Sequence, residues 1–357
     1  MRVVQLVPAR AVDDYNTRQE AEALAEAGHE VTVIGPARHQ QEFERSGVLY
    51  RLLKVRGLTR AGRALEFQKL SRRETLKFVP DVVSCRDLDT LAAGVWVKRA
   101  MACPLIYDMH EVFSWMVNLP LVSPVIDRHE RKLLSEVDLA VVCNEKSAEW
   151  LWHYGTGKLP TYIVRNCRNP DPVWQPPRGE GNLWYMGTLH DSRFVPEMVR
   201  AMDRIDGHLY IAAPKTESVW WNWLSSHPSD RITFCGTLPY ESCRELLRSS
   251  DLAIMMGDPR VRINTLGPYN RLYDAMAVGR PSIGTAGTSN GDLISELEIG
   301  LPLPYHIDDY TLGVTALLTQ KNRLMRLGKN AYEACKAVYN WDVQARVLKE
   351  AYARLEA

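Results

Sequence analysis

Tyr269-Asn270-Arg271-Leu272-Tyr273-Asp274-Ala275-Met276-Ala277-Val278-Gly279-Arg280-Pro281-Ser282-Ile283-Gly284-Thr285 reads as the front of a helix, a glycine stop and a short strand. Leu272, Ala275 and Met276 recur at helical spacing and form an apolar stripe. Gly279 ends the helix and Pro281 keeps it from resuming. A helix that feeds a strand in this way is the repeating unit of a parallel α/β sheet. Asp274 falls one turn inside the helix, whose first amides, over residues 267–271, have no partner within it. Such an end attracts anions, and a carboxylate near it can accept hydrogen bonds from sugar hydroxyls. Phosphate on the amides and ribose on the carboxylate would together hold a nucleotide.

Outward from this stretch the same alternation runs through the chain. Residues 3–7 read as a strand. Residues 16–27 read as an amphipathic helix with Ala21, Leu24 and Ala25 inward and Gly28 at its end, and residues 31–34 as the next strand. Further strands are expected at 82–84, 105–107 and 139–142, with helices between them and right-handed crossovers. A stretch rich in proline and glycine follows over 166–181. Strands then resume at 183–186, 209–212, 232–235, 252–255 and 282–284. The fold class is therefore α/β with two Rossmann-like domains. Expected boundaries are 1–168 for the first domain, 181–338 for the second and 339–357 for a terminal amphipathic helix. The first strand-to-helix turn, residues 8–15, has no glycine, so a dinucleotide-binding fingerprint is absent and a dehydrogenase is disfavoured.

Composition fits this reading. The chain has 357 residues, 24% charged and 46% hydrophobic, which suits two globular domains. A net charge of +1 offers no general attraction to nucleic acid, and none is expected as a partner. The seven cysteines are scattered with no Cys-x-x-Cys pair, which points to buried thiols in a reducing compartment and against zinc. The N-terminus does not read as a signal peptide, and no apolar run approaches the ~18 residues that span a bilayer. The expected location is cytoplasmic, with a peripheral position at the inner face of the cell membrane left open. Residues 51–77 motivate that opening, since they carry nine basic residues against Glu66 and Glu74. They are either a solvated face or a patch resting on anionic lipid.

The run from Asp274 to Pro281, an acid followed by small-Met-Ala-small-Gly-Arg-Pro, resembles the retaining glycosyltransferases of family 4. The resemblance implies the GT-B fold, in which two Rossmann-like domains face each other across a cleft and the C-terminal helix crosses back to the N-terminal domain. It implies an N-terminal acceptor-binding domain and a C-terminal domain for the nucleotide sugar. The donor would be UDP- or GDP-linked and the acceptor a glycan or a lipid-linked molecule. The activity implied is metal-independent hexosyl transfer without a cofactor, as in polysaccharide biosynthesis.

Other segments carry the resemblance in the expected order. Leu105-Ile106-Tyr107-Asp108-Met109-His110-Glu111 is similar to the segment whose histidine meets the donor sugar. That makes His110 a candidate catalytic residue, acting through its backbone carbonyl and ring, and places Glu111 on the acceptor side. Tyr185-Met186-Gly187, followed by Arg193, matches the glycine turn and the basic residue that reaches the donor diphosphate. A guanidinium there can grip two phosphate oxygens and stabilise the departing group. Gly236, Thr237 and Leu238 resemble the turn whose backbone reads the nucleobase. Asn270, Arg271, Leu272 and Asp274 complete the donor side, and the 288–292 loop is a weaker match to one that meets sugar or phosphate. Asp13, Asp14 and Tyr15 are either a solvated turn or acceptor contacts. Asp87 and Asp89 in Cys85-Arg86-Asp87-Leu88-Asp89 read as helix-capping or acceptor-facing carboxylates and not as metal ligands.

Two positions depart from the family. Thr188 stands where a second basic residue is usual, and Lys215 is a substitute for it. Leu266 stands where the family's first glutamate would lie. These departures leave two other readings open. One is a degenerate member that binds a nucleotide sugar or a partner glycosyltransferase without catalysis. The other is a GT-B nucleotide-sugar epimerase.

Overall fold

A computed structural model describes residues 1–8, 14–117, 121–153, 159–216 and 218–356, apart from the side chains at 60 and 61. The chain divides into two compact units, Met1–Arg165 with Gln344–Ala357, and Asn166–Val343.

The first unit is built on strands β1 (Arg2–Leu6), β2 (Glu30–Ala37), β3 (Gln41–Arg45), β4 (Val48–Lys54), β5 (Val82–Arg86), β6 (Leu105–Met109), β7 (Leu139–Val142) and β8 (Thr161–Ile163). They lie in the order β3-β4-β2-β1-β5-β6-β7-β8, and all neighbours are parallel except the β3–β4 hairpin. The connecting helices are α1 (Tyr15–Glu26), α2 (Arg60–Lys77), α3 (Leu88–Met101), α4 (Phe113–Val117), α5 (Ser123–Leu134) and α6 (Glu145–Leu151). Central strands β5 and β6 are buried at every residue, as a parallel strand covered on both faces must be. Helix α3 lies unusually close to them. A Cβ on its Gly94 would come 2.2 Å from Cys85 Sγ and 2.7 Å from Leu105 Cδ1, so only glycine fits.

Glu130 of α5 is fully buried and accepts a 2.5 Å hydrogen bond from Tyr107 Oη, while its other oxygen has no partner. Burial pushes its carboxyl up to about 7. The folded state then holds a proton that the unfolded chain releases near pH 4.5, so stability falls as pH rises from about 4.5 to 7. A shift of this size corresponds to about 3 kcal/mol. In Glu130→Gln that decline should shrink, and urea melts at pH 5 and pH 7.5 read it directly. Equal pH slopes in the two proteins would refute the assignment.

The second unit holds β9 (Asn182–Met186), β10 (His208–Ala212), β11 (Ile232–Gly236), β12 (Leu252–Met255), β13 (Ser282–Thr285) and β14 (Gly300–Leu303), all parallel, in the order β11-β10-β9-β12-β13-β14. Its helices are α7 (Val195–Ala201), α8 (Val219–Ser226), α9 (Tyr240–Ser249), α10 (Ile263–Leu266), α11 (Asn270–Ala277), α12 (Ser289–Glu296), α13 (Ile307–Thr319) and α14 (Lys321–Ala337). Strand alternation divides the core between the two faces. Leu183, Tyr185, Leu252 and Ile254 join Phe194, Met198 and Tyr310 on one side. Trp184, Ala253 and Met255 meet Leu272, Ala275 and Met276 on the other. The apolar stripe of α11 is thus the surface that docks the helix on its sheet.

The proline- and glycine-rich stretch is firmly tied to this unit. Asp251, fully buried, accepts hydrogen bonds from the amides of Gly179, Glu180, Gly181 and Asn182 at 2.7–3.0 Å. Arg280 donates to Gln175 O and Arg248 O. The last helix, α15 (Trp341–Ala353), belongs from Gln344 onward to the first unit, where Leu348, Ala351 and Tyr352 are buried. No helix among the described residues is long and apolar enough to cross a membrane.

Candidate functional site

In the second sheet the strand order turns back between β9 and β12, and parallel sheets bind ligands at the carboxyl ends of strands on either side of such a switch. After β9 come Gly187 and a 3-10 turn, Asp191–Arg193. After β12 come α10 and α11. Arg193 and Arg271 arrive from these two connections and converge on one ring. Their guanidinium carbons lie 4.2 and 4.4 Å from the centroid of Tyr269, and that of Arg271 is also 4.7 Å from the centroid of Tyr185. Gly187 makes the approach feasible. Its φ is +142°, and a Cβ there would sit 2.8 Å from Arg271 Nη1.

Arg271 is only 7% exposed. Its Nε donates to Ile254 O at 3.1 Å, while its buried Nη2 has no partner. Burial, and then Arg193, pull this guanidinium below its ordinary value. The tyrosines 185 and 269 oppose them. Two cations held together, one of them buried and incompletely bonded, form a site that an anion would stabilise. The second cation beside Arg193 is therefore Arg271. Lys215 is exposed, three residues beyond β10.

The rest of the donor side is arranged differently from expectation. The amide of Tyr269 donates to Asn290 Oδ1 and that of Leu272 to Tyr269 O, so two amides at the start of α11 are already used. Asp274 is 5% exposed. Its Oδ1 accepts a 2.6 Å hydrogen bond from Tyr240 Oη and lies 3.6 Å from Arg168 Nε. Burial raises its carboxyl, and Arg168 and Tyr240 offset that in part. The carboxylate that reads in sequence as a ribose ligand thus has one oxygen spent within the protein. Through Tyr240 it is fastened to the segment of Gly236, Thr237 and Leu238. In that turn Gly236 has φ +65° and Thr237 Oγ1 donates to Ala213 O. Asn270 is exposed and accepts from Asn166 Nδ2, Leu272 is core, and Leu266 is buried in α10.

In the first sheet the order turns back between β1 and β5. His110 follows β6, one strand further on, and its surroundings are charged and buried. Its Nε2 lies 3.1 Å from Asp108 Oδ1 and 3.6 Å from Glu20 Oε1. Burial and Arg86 work against a charge on His110. Cys143 and the Asp108 carboxylate more than offset them and hold the imidazole well above its ordinary value. Burial pushes Glu20 up to about 7 despite Arg86, whereas His110 and Arg86 keep Asp108 low against burial. Glu20, Asp108 and His110 each bring a ligand atom within 4.8 Å of the others. Both carboxylates are already bonded to the fixed charge of Arg86, so this set does not suit a metal ion.

Asp87 occupies the N-cap position of α3, but its side chain does not cap that helix. Its Oδ1 accepts instead from the amides of His110 (2.9 Å) and Glu111 (3.0 Å), with its own backbone at φ +58°. A non-glycine residue held there costs about 1–3 kcal/mol and marks a constrained site. His110, Glu111 and Asp87 are thereby joined. Tyr15 is half-buried at the start of α1, with the Arg18 guanidinium 5.0 Å from its ring, and Asp13 lies outside the described residues.

Residues 17–171 match the model of the family described as Glycosyltransferase Family 4. No curated protein sequence matches the chain. Among solved structures, a sucrose-phosphate synthase from Thermosynechococcus elongatus is 16% identical with a TM-score of 0.82, covering 100% of this chain and 99% of its own. Anabaena HepE in complex with UDP and glucose is 12% identical with a TM-score of 0.77, covering 99% and 100%. A putative UDP-N-acetylglucosamine 2-epimerase from Listeria monocytogenes is 14% identical with a TM-score of 0.66, covering 99% and 97%. At these identities the likeness fixes the fold alone. The chain has the GT-B fold, and residues 17–171 of it carry the sequence pattern of Glycosyltransferase Family 4.

Proposed function

We propose that the protein is a retaining, metal-independent glycosyltransferase that moves a hexosyl group from a nucleoside diphosphate to a hydroxyl of a glycan or lipid-linked acceptor. The observation that carries this reading is the Arg193–Arg271 pair on Tyr269, two guanidinium groups held together with one of them buried and incompletely bonded. The complex of HepE with UDP and glucose supports a UDP-linked donor. The diphosphate would leave against the two guanidinium groups, and His110 would meet the sugar. The acceptor would then attack on the face the leaving group vacates, with a phosphate oxygen taking its proton. Of the basic stretch 51–77, Arg51 and Lys77 are spent on Glu74, whereas Lys69 and Arg73 are exposed and would meet anionic lipid.

Thermal melts with UDP, GDP and their sugars test the donor. Bound ligand raises stability as RT ln(1 + [L]/Kd), about 2.7 kcal/mol at 100 Kd. No shift with any nucleotide would refute the reading. Co-sedimentation with phosphatidylglycerol vesicles tests the membrane contact. The epimerase-like neighbour favours a second reading, turnover of the nucleotide sugar alone. Release of free nucleotide only when an acceptor is added would exclude it.

A further inference from the structure

The Arg86 guanidinium is 3% exposed at the end of β5, on the switch side of the first sheet. Its Nε donates to Asp108 Oδ2 at 3.0 Å, its Nη1 to Thr17 Oγ1 and its Nη2 to Glu20 Oε2, and Asp14 Oδ2 lies 3.5 Å from Nη1. Glu20 and Asp108 each spend one oxygen on Arg86 and turn the other toward His110 Nε2. The two carboxylates come from separate elements, α1 and β6, and would repel each other without a shared cation. A planar fork can hold both at a fixed angle, which a point charge cannot. The ring they hold belongs to the residue whose amide Asp87 grips from the β5–α3 junction.

We propose that Arg86 and Glu20 are positioning residues for His110. Arg86 sets Glu20 and Asp108 so that their other oxygens face Nε2, at 3.6 and 3.1 Å, which fixes the ring plane and the outward edge the imidazole presents to a substrate. This inference rests on the reading of His110 as the residue that meets the donor sugar. The arrangement explains why a chain would bury two carboxylates around one guanidinium where apolar residues would pack more cheaply. It also explains why Thr17 and Glu20, polar residues of an amphipathic helix, face inward.

The test compares Arg86→Lys, Glu20→Gln and His110→Ala in the full chain, using UDP-sugar turnover with acceptor, UDP binding and imidazole 15N NMR. Lysine keeps the charge but loses the fork. Turnover in Arg86→Lys should fall about 100-fold, the scale of a misplacement near 1 Å, with UDP affinity within about threefold of the parent. In Glu20→Gln the imidazole 15N signals of His110 should shift. Should Arg86→Lys fail to fold, that NMR shift decides the matter. Loss of turnover in His110→Ala with full turnover in Arg86→Lys would overturn the inference alone, as would an unmoved His110 signal in Glu20→Gln. Unimpaired turnover in His110→Ala would overturn the catalytic reading and the inference with it, while the UDP measurement would still report on the donor site by itself.

Discussion

Replacing Arg271 with methionine is expected to weaken binding of a nucleoside diphosphate by about 10- to 100-fold while leaving the melting temperature of the free protein unchanged or raised. The two halves of this expectation come from one observation. The guanidinium is buried between two tyrosines with Nη2 unbonded, so the free protein gains little from its charge. Exchanging a buried charge for an apolar side chain of similar volume is often neutral or stabilising by about 1–4 kcal/mol. The bound state is different. Hydrogen bonds from a charged donor to an anion are worth about 1.5–3 kcal/mol, which is the stated factor in affinity. Titration calorimetry with UDP, run beside thermal melts, separates the two terms. Unchanged affinity would remove Arg271 from the donor site, and a large loss of stability would make it a structural residue.

Asp251→Ala should have the largest effect on stability, about 3–5 kcal/mol. The carboxylate is fully buried and its two oxygens accept from four successive amides, Gly179 to Asn182. Alanine leaves those donors unpaired at the entrance to β9, the strand from which Gly187 and Arg193 are hung. The expected drop in melting temperature is on the order of 10 °C for a unit of this size. Asp251→Asn should lose less, because its carbonyl oxygen keeps part of the pattern while its amine opposes the rest. Differential scanning calorimetry on the two variants checks the order. A loss under about 1 kcal/mol in the alanine variant would show that water replaces the carboxylate.

Most of the strands and helices were legible from periodicity, because central strands such as β5 and β6 are apolar throughout and helices such as α11 carry a stripe. The strands that escaped are at or beside the sheet edges. β3 is Gln-Glu-Phe-Glu-Arg, exposed at every residue, and pairs only with β4; β14 ends the other sheet and contains Pro302. An edge strand has little to bury and leaves little mark in composition. At the candidate anion site the order glycine, turn, arginine was readable in the sequence, and so was Arg271. Tyr269 was not, since its role is to stack two guanidinium groups from connections far apart in sequence. The bond from Tyr240 to Asp274 was not readable either, since the two lie 34 residues apart. Arg280 reads as part of a helix stop, yet its side chain clasps carbonyls at Gln175 and Arg248. Partners distant along the chain leave no local signal. Arg86 and Glu20 are of the same kind, 66 residues apart.

The first unit takes its closing helix from the far end of the polypeptide. Leu348, Ala351 and Tyr352 belong to its core although the whole of Asn166–Val343 is translated in between. During synthesis the half that begins at Met1 therefore waits for residues 344–356, which are made only after the whole of the second unit. The unit translated first is the last to be finished.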